Sequence, residues 1–347
     1  MARKLASIQK INAVEPIDGA DMIEKIGILG WHCVAKKGEF QVGESCVYFE
    51  IDSLLPERSE FEFLRKSSWN EKLGRFRLKT VKLKGVISQG LAVPVTVFSE
   101  FTGQPLPEGV DVTEQLAVEK YEPQIPAQLA GDIRSFRWPI PKTDEERIQS
   151  NPEFIRELSG KAHYISVKLD GTSCSFVLTR DDDDELDFHV CSRNYSLKPS
   201  ASLSFWQLEQ HYGIDAKLRE HHARTGQLLA LQGEVVGPGI QKNPLGLAKV
   251  DIYLFNIVDC ATGQRLPINT LESLTTYFGL KTVPIIERGD NFTYTLDELL
   301  EKAAGKYAEQ FSSARPNQER EGIVVRSQDQ QVSFKVVSNR FLLKGGE

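Results

Sequence analysis

Apolar and polar residues alternate in short runs over the first 120 positions, the period of half-buried strands rather than of helices. The runs fall at 6–14, 23–29, 31–35, 45–51, 76–83 and 90–94, with glycine and proline between them. That many short strands in so few residues predict a small β-barrel. Within the run 76–83 the parity shifts around Thr80-Val81, which predicts a bulge or bend there, with Phe76, Leu78, Val81 and Leu83 facing the barrel core. A stretch at 121–126 containing two prolines, then Trp138-Pro139-Ile140-Pro141, reads as a linker. The boundary is set near residue 125, giving domains 1–125 and 126–347.

Beyond that boundary the period changes repeatedly. Strands are predicted at 163–169, 174–180, 186–193, 228–236, 250–258, 322–326 and 331–337, and helices at 202–223, 267–277 and 296–311. Thr143 and Glu146 have the spacing of a capping box, so a short helix is expected over 143–151. The order is α+β with an antiparallel-rich core, not a βαβ series. Asp181-Asp182-Asp183-Asp184-Glu185 falls between two strands and reads as a solvated hairpin turn without chemistry.

Composition narrows the function classes. The five cysteines are scattered with no C-x-x-C pair, so neither a disulfide framework nor a zinc site is indicated. No run approaches the roughly 18 apolar residues of a membrane span, and the N-terminus lacks an apolar signal core. An intracellular, cytoplasmic chain with no membrane contact is expected, and a monomer. The formal net charge of −6 does not advertise nucleic-acid binding. Its distribution does more, because residues 75–84 carry Arg75, Arg77, Lys79, Lys82 and Lys84 with no anion. Such a strand could follow a phosphate backbone, or its lysines could simply guard a sheet edge.

Candidate chemistry begins at Val167-Lys168-Leu169-Asp170-Gly171. Positions two apart on a strand share a face, so Lys168 and Asp170 are expected in one pocket. A lysine beside a carboxylate becomes a nucleophile when burial and positive charge lower its pKa from about 10.4. Alone, this spacing is common. Four further segments change the weighing: Cys191-Ser192-Arg193-Asn194, Gly233-Glu234, Glu321-Gly322-Ile323-Val324 and Lys335 within Ser333–Val337. Singly, each charge reads as an exposed edge position. Together they place acids inside apolar strands, where an unpaired carboxylate is costly to bury.

The series Lys168-Leu-Asp-Gly, Ser192-Arg-Asn, Gly233-Glu234, Phe255-Asn-Ile, Glu321-Gly-Ile-Val and Lys335 resembles the covalent nucleotidyltransferases, the superfamily of ATP-dependent ligases and capping enzymes. It looks most like nick-sealing RNA ligases, in the subgroup with an amino-terminal OB domain, since only Val336–Glu347 follows the last lysine. The resemblance implies an OB-like barrel followed by an antiparallel-rich adenylation domain, with ATP as co-substrate and Mg²⁺ or Mn²⁺. By resemblance, Lys168 would attack the α-phosphorus of ATP, and Lys335 and Arg193 would assist as catalytic residues. Val167, Phe255, Val324, Glu234 and Arg147 would bind the nucleotide, with Phe255 and Val324 on opposite faces of adenine. Asp170, Glu234 and Glu321 would hold the metal through waters, Glu234 alternatively meeting the ribose. Arg147 is as readily an exposed cation, and Gln149 shares its segment. Where many relatives carry a second lysine this chain has Val337, with Arg340 or Lys344 as possible substitutes. The implied partner is RNA or an RNA-containing nicked duplex. An ATP-dependent DNA ligase, a GTP-using capping enzyme and a catalytically silent RNA-binding relative are the competing readings.

Overall fold

The computed structural model describes residues 3–103, 106–122, 132–134, 136 and 140–344. Of the expected linker, residues 123–126, 138 and 139 lie outside them. The chain divides into two compact units: Met1–Pro123 with Ile148–Pro152 and Leu342–Glu347, and Gln124–Arg147 with Glu153–Phe341.

In the first unit the strand Ala6–Pro16 is long enough to serve two partners. Its first half pairs with Ser45–Phe49 and its second with Ile23–Ile28, and the register shifts between Ile11 and Ala13. Asn12 is the extra residue, its side-chain amide donating to the Leu29 carbonyl at 2.8 Å. Opposite it a Cβ on Gly27 would lie 2.2 Å from the Asn12 Oδ1, so a side chain there would displace the Asn12 amide. A bulge bends the strand and curls the sheet. The order is Leu91–Pro94, Ser45–Phe49, Ala6–Pro16, Ile23–Ile28, Trp31–Lys36, all antiparallel. A second, four-stranded sheet includes Ser53–Leu55 and Arg75–Arg77. Phe49, Phe61, Phe76 and Phe98 fill the core between them, with Phe49 and Phe61 edge-on at 5.3 Å.

The single strand expected over 76–83 is two. Arg75–Arg77 belongs to the barrel, whereas Val81–Leu83 forms its own hairpin with Val86–Ser88. Lys84 and Gly85 both take positive φ, the geometry of a two-residue hairpin turn. Phe76 and Leu78 are buried as expected, but Val81 and Leu83 are 43% and 42% exposed, so the apolar side of the hairpin does not face the core.

In the second unit a seven-stranded sheet runs in the order Ile133–Arg134, Ser196–Leu197, Leu186–Cys191, Thr172–Arg180, Leu229–Val236, Asp251–Asp259, Lys281–Thr282. All pairings but the last are antiparallel. Helices Ser204–Tyr212, Ile214–Thr225 and Ile268–Tyr277 contribute Phe205, Leu218 and Leu271 to the large core over this sheet. A four-stranded antiparallel sheet holds Ile285–Gly289, His163–Lys168, Gly322–Ser327 and Ser333–Val337. The chain passes between the sheets through Leu169-Asp170-Gly171. The acidic run 181–184 makes the expected hairpin turn, Asp181 Oδ1 accepting from the Asp183 and Glu185 amides. Among the described residues no helix is long and apolar enough to cross a membrane.

Three expected helices differ. The helix over 202–223 breaks at Gly213, which adopts a left-handed φ of 61°. The helix over 296–311 stops at Ala303, and Tyr307–Glu309 is a separate 3-10 turn. Residues 143–151 are not helical, although Thr295 and Glu298 make a true capping box with the same spacing. At 143–147 tertiary contacts compete with the cap: Thr143 Oγ1 donates to Ser173 Oγ at 3.0 Å, and the Glu146 carbonyl accepts from the Lys335 amide at 2.8 Å. The segment lies extended beside the Lys335 strand, with a bridge between Arg147 and Lys335.

Candidate active site

The strand His163–Lys168 is buried along its length and ends at the lysine. It stops there, one residue earlier than expected, so strand parity does not govern Asp170, which sits in the bend after it. Lys168 pairs in register with Gly322, the residue after Glu321. That register brings Lys168 Nζ to 2.7 Å from Glu321 Oε1, with the side chains 23% and 7% exposed. Gly322 is fixed by its other neighbour, the strand Ser333–Val337: a Cβ there would lie 2.1 Å from the Val336 carbonyl oxygen. Gly322→Ala is expected to lower stability by about 3 kcal/mol, seen in thermal unfolding. An unchanged melting temperature would show that the strand pair can part without harm.

Gly171 is constrained the same way, since a Cβ would meet the Val235 carbonyl at 2.3 Å. Its amide donates to Glu234 Oε1 at 3.1 Å, which holds that carboxylate at the bend. Burial, with Glu321 adding to it, pushes Asp170 up to about 8. Burial likewise pushes Glu234 up to about 7, against the pull of Lys168, while Glu321 adds to the rise and Arg193 opposes it. Burial disfavours the Lys168 ammonium, but Glu321, Glu234 and Asp170 outweigh it and hold the lysine above its usual value. Three carboxyl groups thus crowd one amine, and burial resists ionisation of two of them. Among the described residues no three acidic, histidine or cysteine groups are gathered closely enough to enclose an ion directly.

Cations collect beside this acidic group. Lys335, 14% exposed, pairs with Asp144 at 2.7 Å. Burial lowers its pKa to about 8, Asp144 resisting and Arg147 and Lys168 adding to the fall. Arg147 is buried and bridges to Lys335, so the exposed-cation reading fails for it. Next along the same segment, Glu145 holds Arg326 at 2.9 Å and Arg265 at 3.1 Å.

The remaining sequence-predicted positions divide. Val167 and Val324 are buried on adjacent strands, and Val324 pairs with Lys335. Phe255 is half-buried, with the Arg326 guanidinium 5.8 Å from its ring and bonded to its carbonyl at 2.9 Å. Arg193 is exposed after the strand ends at Cys191, yet acts on Glu234. Gln149 is buried in the first unit, its carbonyl accepting from the Gly30 amide at 2.9 Å. Val337 is buried and Arg340 exposed on the helix Asn339–Leu343.

One residue escaped sequence reasoning. The fully buried Tyr307 hydroxyl donates to the Lys168 carbonyl at 3.0 Å and accepts from the amides of Asp170 at 2.8 Å and Glu321 at 3.2 Å. Gly305 was the available signal. It interrupts the helical pattern just before the tyrosine, and a Cβ there would strike the Arg320 guanidinium at 2.6 Å.

Comparison with known proteins fits this geometry. A family model described as an OB-fold domain matches residues 5–95, and one described as RNA ligase matches residues 161–337. No curated protein matches the chain in sequence. Among solved structures, the Naegleria gruberi RNA ligase with PPi is 36% identical, with a TM-score of 0.89 over 99% of both chains. A lysine-to-alanine mutant of that ligase with ATP and Mn aligns over 98% of this chain and 99% of that one at a TM-score of 0.88. A glutamate-to-alanine mutant with AMP and Mn gives 0.88 over 99% of both, again at 36% identity. With a lysine clasped by carboxylates at the junction of two sheets and a likeness running the length of the chain, this protein belongs to the RNA ligase family.

Proposed function

We propose that the protein seals 3′-OH/5′-phosphate breaks in three steps, using ATP and a divalent cation, with nicks in duplexes bearing an RNA 3′-OH strand as substrate. The observation that carries this is Lys168 at 2.7 Å from Glu321, with Asp170 and Glu234 acting on the same amine and Lys335 close by. Support comes from the Naegleria gruberi ligase structures, which hold ATP and Mn or AMP and Mn.

In the first step Lys168 Nζ attacks the α-phosphorus. The N–P bond forms, the bond from the α-phosphorus to the α–β bridging oxygen breaks, and pyrophosphate leaves with that oxygen. The amine must first lose a proton. Its ammonium is favoured by Glu321, Glu234 and Asp170 against burial, so a cation engaging those carboxylates would shift the balance toward the free amine. Bound near Asp170, Glu234 and Glu321, the metal would make the phosphorus more electrophilic. Lys335, with Arg147 behind it, faces the charge that develops on the phosphate. In the second step an oxygen of the RNA 5′-phosphate attacks the same phosphorus, the P–N bond breaks and Lys168 leaves as the amine. In the third, the 3′-OH attacks the 5′-phosphorus and AMP departs. Phe255 and Val324 would flank the adenine, and Val167 would line the pocket beneath it.

Residues 1–125 are assigned to nucleic acid, with Lys82 and Lys84 on the exposed hairpin meeting phosphates. The double change Lys82→Glu and Lys84→Glu is expected to weaken nick binding and to flatten its salt dependence by roughly 2 in log–log slope, with lysine adenylation unchanged. Unaltered salt dependence would remove the hairpin from the interface. The function itself is tested with nicked duplexes carrying ribose or deoxyribose on each side of the break, with ATP or GTP. Sealing that requires ATP and a ribose 3′-OH end is expected. Equal sealing of all-DNA nicks would favour a DNA ligase, and use of GTP alone a capping enzyme.

A further inference from the structure

We infer that Tyr307 is the positioning residue of lysine adenylation, its hydroxyl fixing the nucleophile through the backbone while touching no reacting atom. The inference rests on the lysyl–AMP reading above. A phenol has one proton to give and two lone pairs to receive. Tyr307 uses them fully: it donates to the Lys168 carbonyl at 3.0 Å and accepts from Asp170 N at 2.8 Å and Glu321 N at 3.2 Å. Those three backbone groups belong to the end of one strand, the bend after it and the residue preceding the neighbouring strand. They carry the amine and two of the three carboxylates that surround it. One buried atom therefore ties the segments that must keep register for Lys168 and Glu321 to meet.

The hydroxyl is not explained as ordinary core packing. The ring already packs with Phe311, 6.4 Å between centroids, within the cluster of Val167, Leu169 and Tyr253. Phenylalanine would satisfy that cluster equally well. Burial, with Glu321 and Asp170 adding to it, keeps the phenol far above its usual pKa, so it remains a neutral donor. Without the hydroxyl, the Asp170 and Glu321 amides lose their bonds to it, and the bend at 169–171 gains freedom just where the amine is aimed. Misplacement of about 1 Å is enough to slow a reaction by roughly 100-fold without altering which groups are present.

Tyr307→Phe tests this in single-turnover adenylation with labelled ATP. The maximal rate of AMP transfer to the protein is expected to fall roughly 10- to 100-fold, with half-saturation by ATP held within about twofold, because the hydroxyl does not meet the nucleotide. In the same preparation, sealing of a nick that is already 5′-adenylated should fall much less, since Lys168 is not the nucleophile there. This second reaction also reports on folding. Equal losses in both reactions mean general destabilisation and overturn the inference, as does an unchanged rate or a loss confined to ATP half-saturation. Wild-type protein that forms no AMP adduct would instead overturn the lysyl–AMP reading.

Discussion

Lys168→Arg is expected to abolish covalent transfer of the nucleotide while leaving the fold intact. A guanidinium keeps the positive charge opposite Glu321 but does not lose its proton at working pH, so it cannot attack phosphorus. Lys168→Ala should abolish transfer as completely, with a cost in stability that arginine avoids. Glu321 is only 7% exposed, and its carboxylate would be left without the ammonium at 2.7 Å. Breaking a buried pair by removing one partner costs about 3 kcal/mol, which thermal unfolding would register. The two variants thus separate chemistry from structure. Label transfer by either one would mean that the amine is not the nucleophile.

Lys335→Ala has the second largest expected effect, a fall of roughly 10²–10³-fold in adenylation with the fold retained. Its ammonium is held in place by Asp144 and by the strand pairing opposite Val324. In the proposed first step this cation would stand beside the reacting phosphate, where negative charge shifts onto oxygens. Its pKa, lowered by burial to about 8, gives a sign that can be checked. Below that pH the group is protonated and assists. As pH rises through about 8 it loses its charge and adenylation should decline. Lys335→Arg keeps its charge in that range, so its activity should hold up better on the alkaline side than that of the wild type. Parallel pH profiles would contradict this role for Lys335.

What could be read from the sequence was whatever rests on local periodicity. The glutamates inside apolar strands, Glu234 and Glu321, announced themselves by their misfit, and both act on Lys168. The hairpin at 181–184 and the strands at 174–180 and 186–193 followed from alternation and turn residues. What was not legible depended on partners distant in the chain. Thr143-Asp144-Glu145-Glu146 has the local form of a helix start, but its groups are claimed by Ser173, Lys335, Arg326 and Arg265. The same spacing at Thr295 and Glu298 meets no such competition and forms the cap. Tyr307 was hidden for a related reason: its hydroxyl matters only because register brings three backbone groups to one point. Val81 and Leu83 do not face the core because they lie on a separate hairpin strand exposed on both faces, which alternation alone does not reveal.

The central claim is the identity of the nucleophile. The protein should be incubated with ATP and a divalent cation in the absence of RNA, unfolded, digested, and its peptides weighed. A mass increase of one AMP is expected on the peptide containing Lys168, removed by acid as a phosphoramidate is. The same adduct on another residue, or none in protein that seals RNA, would contradict the account.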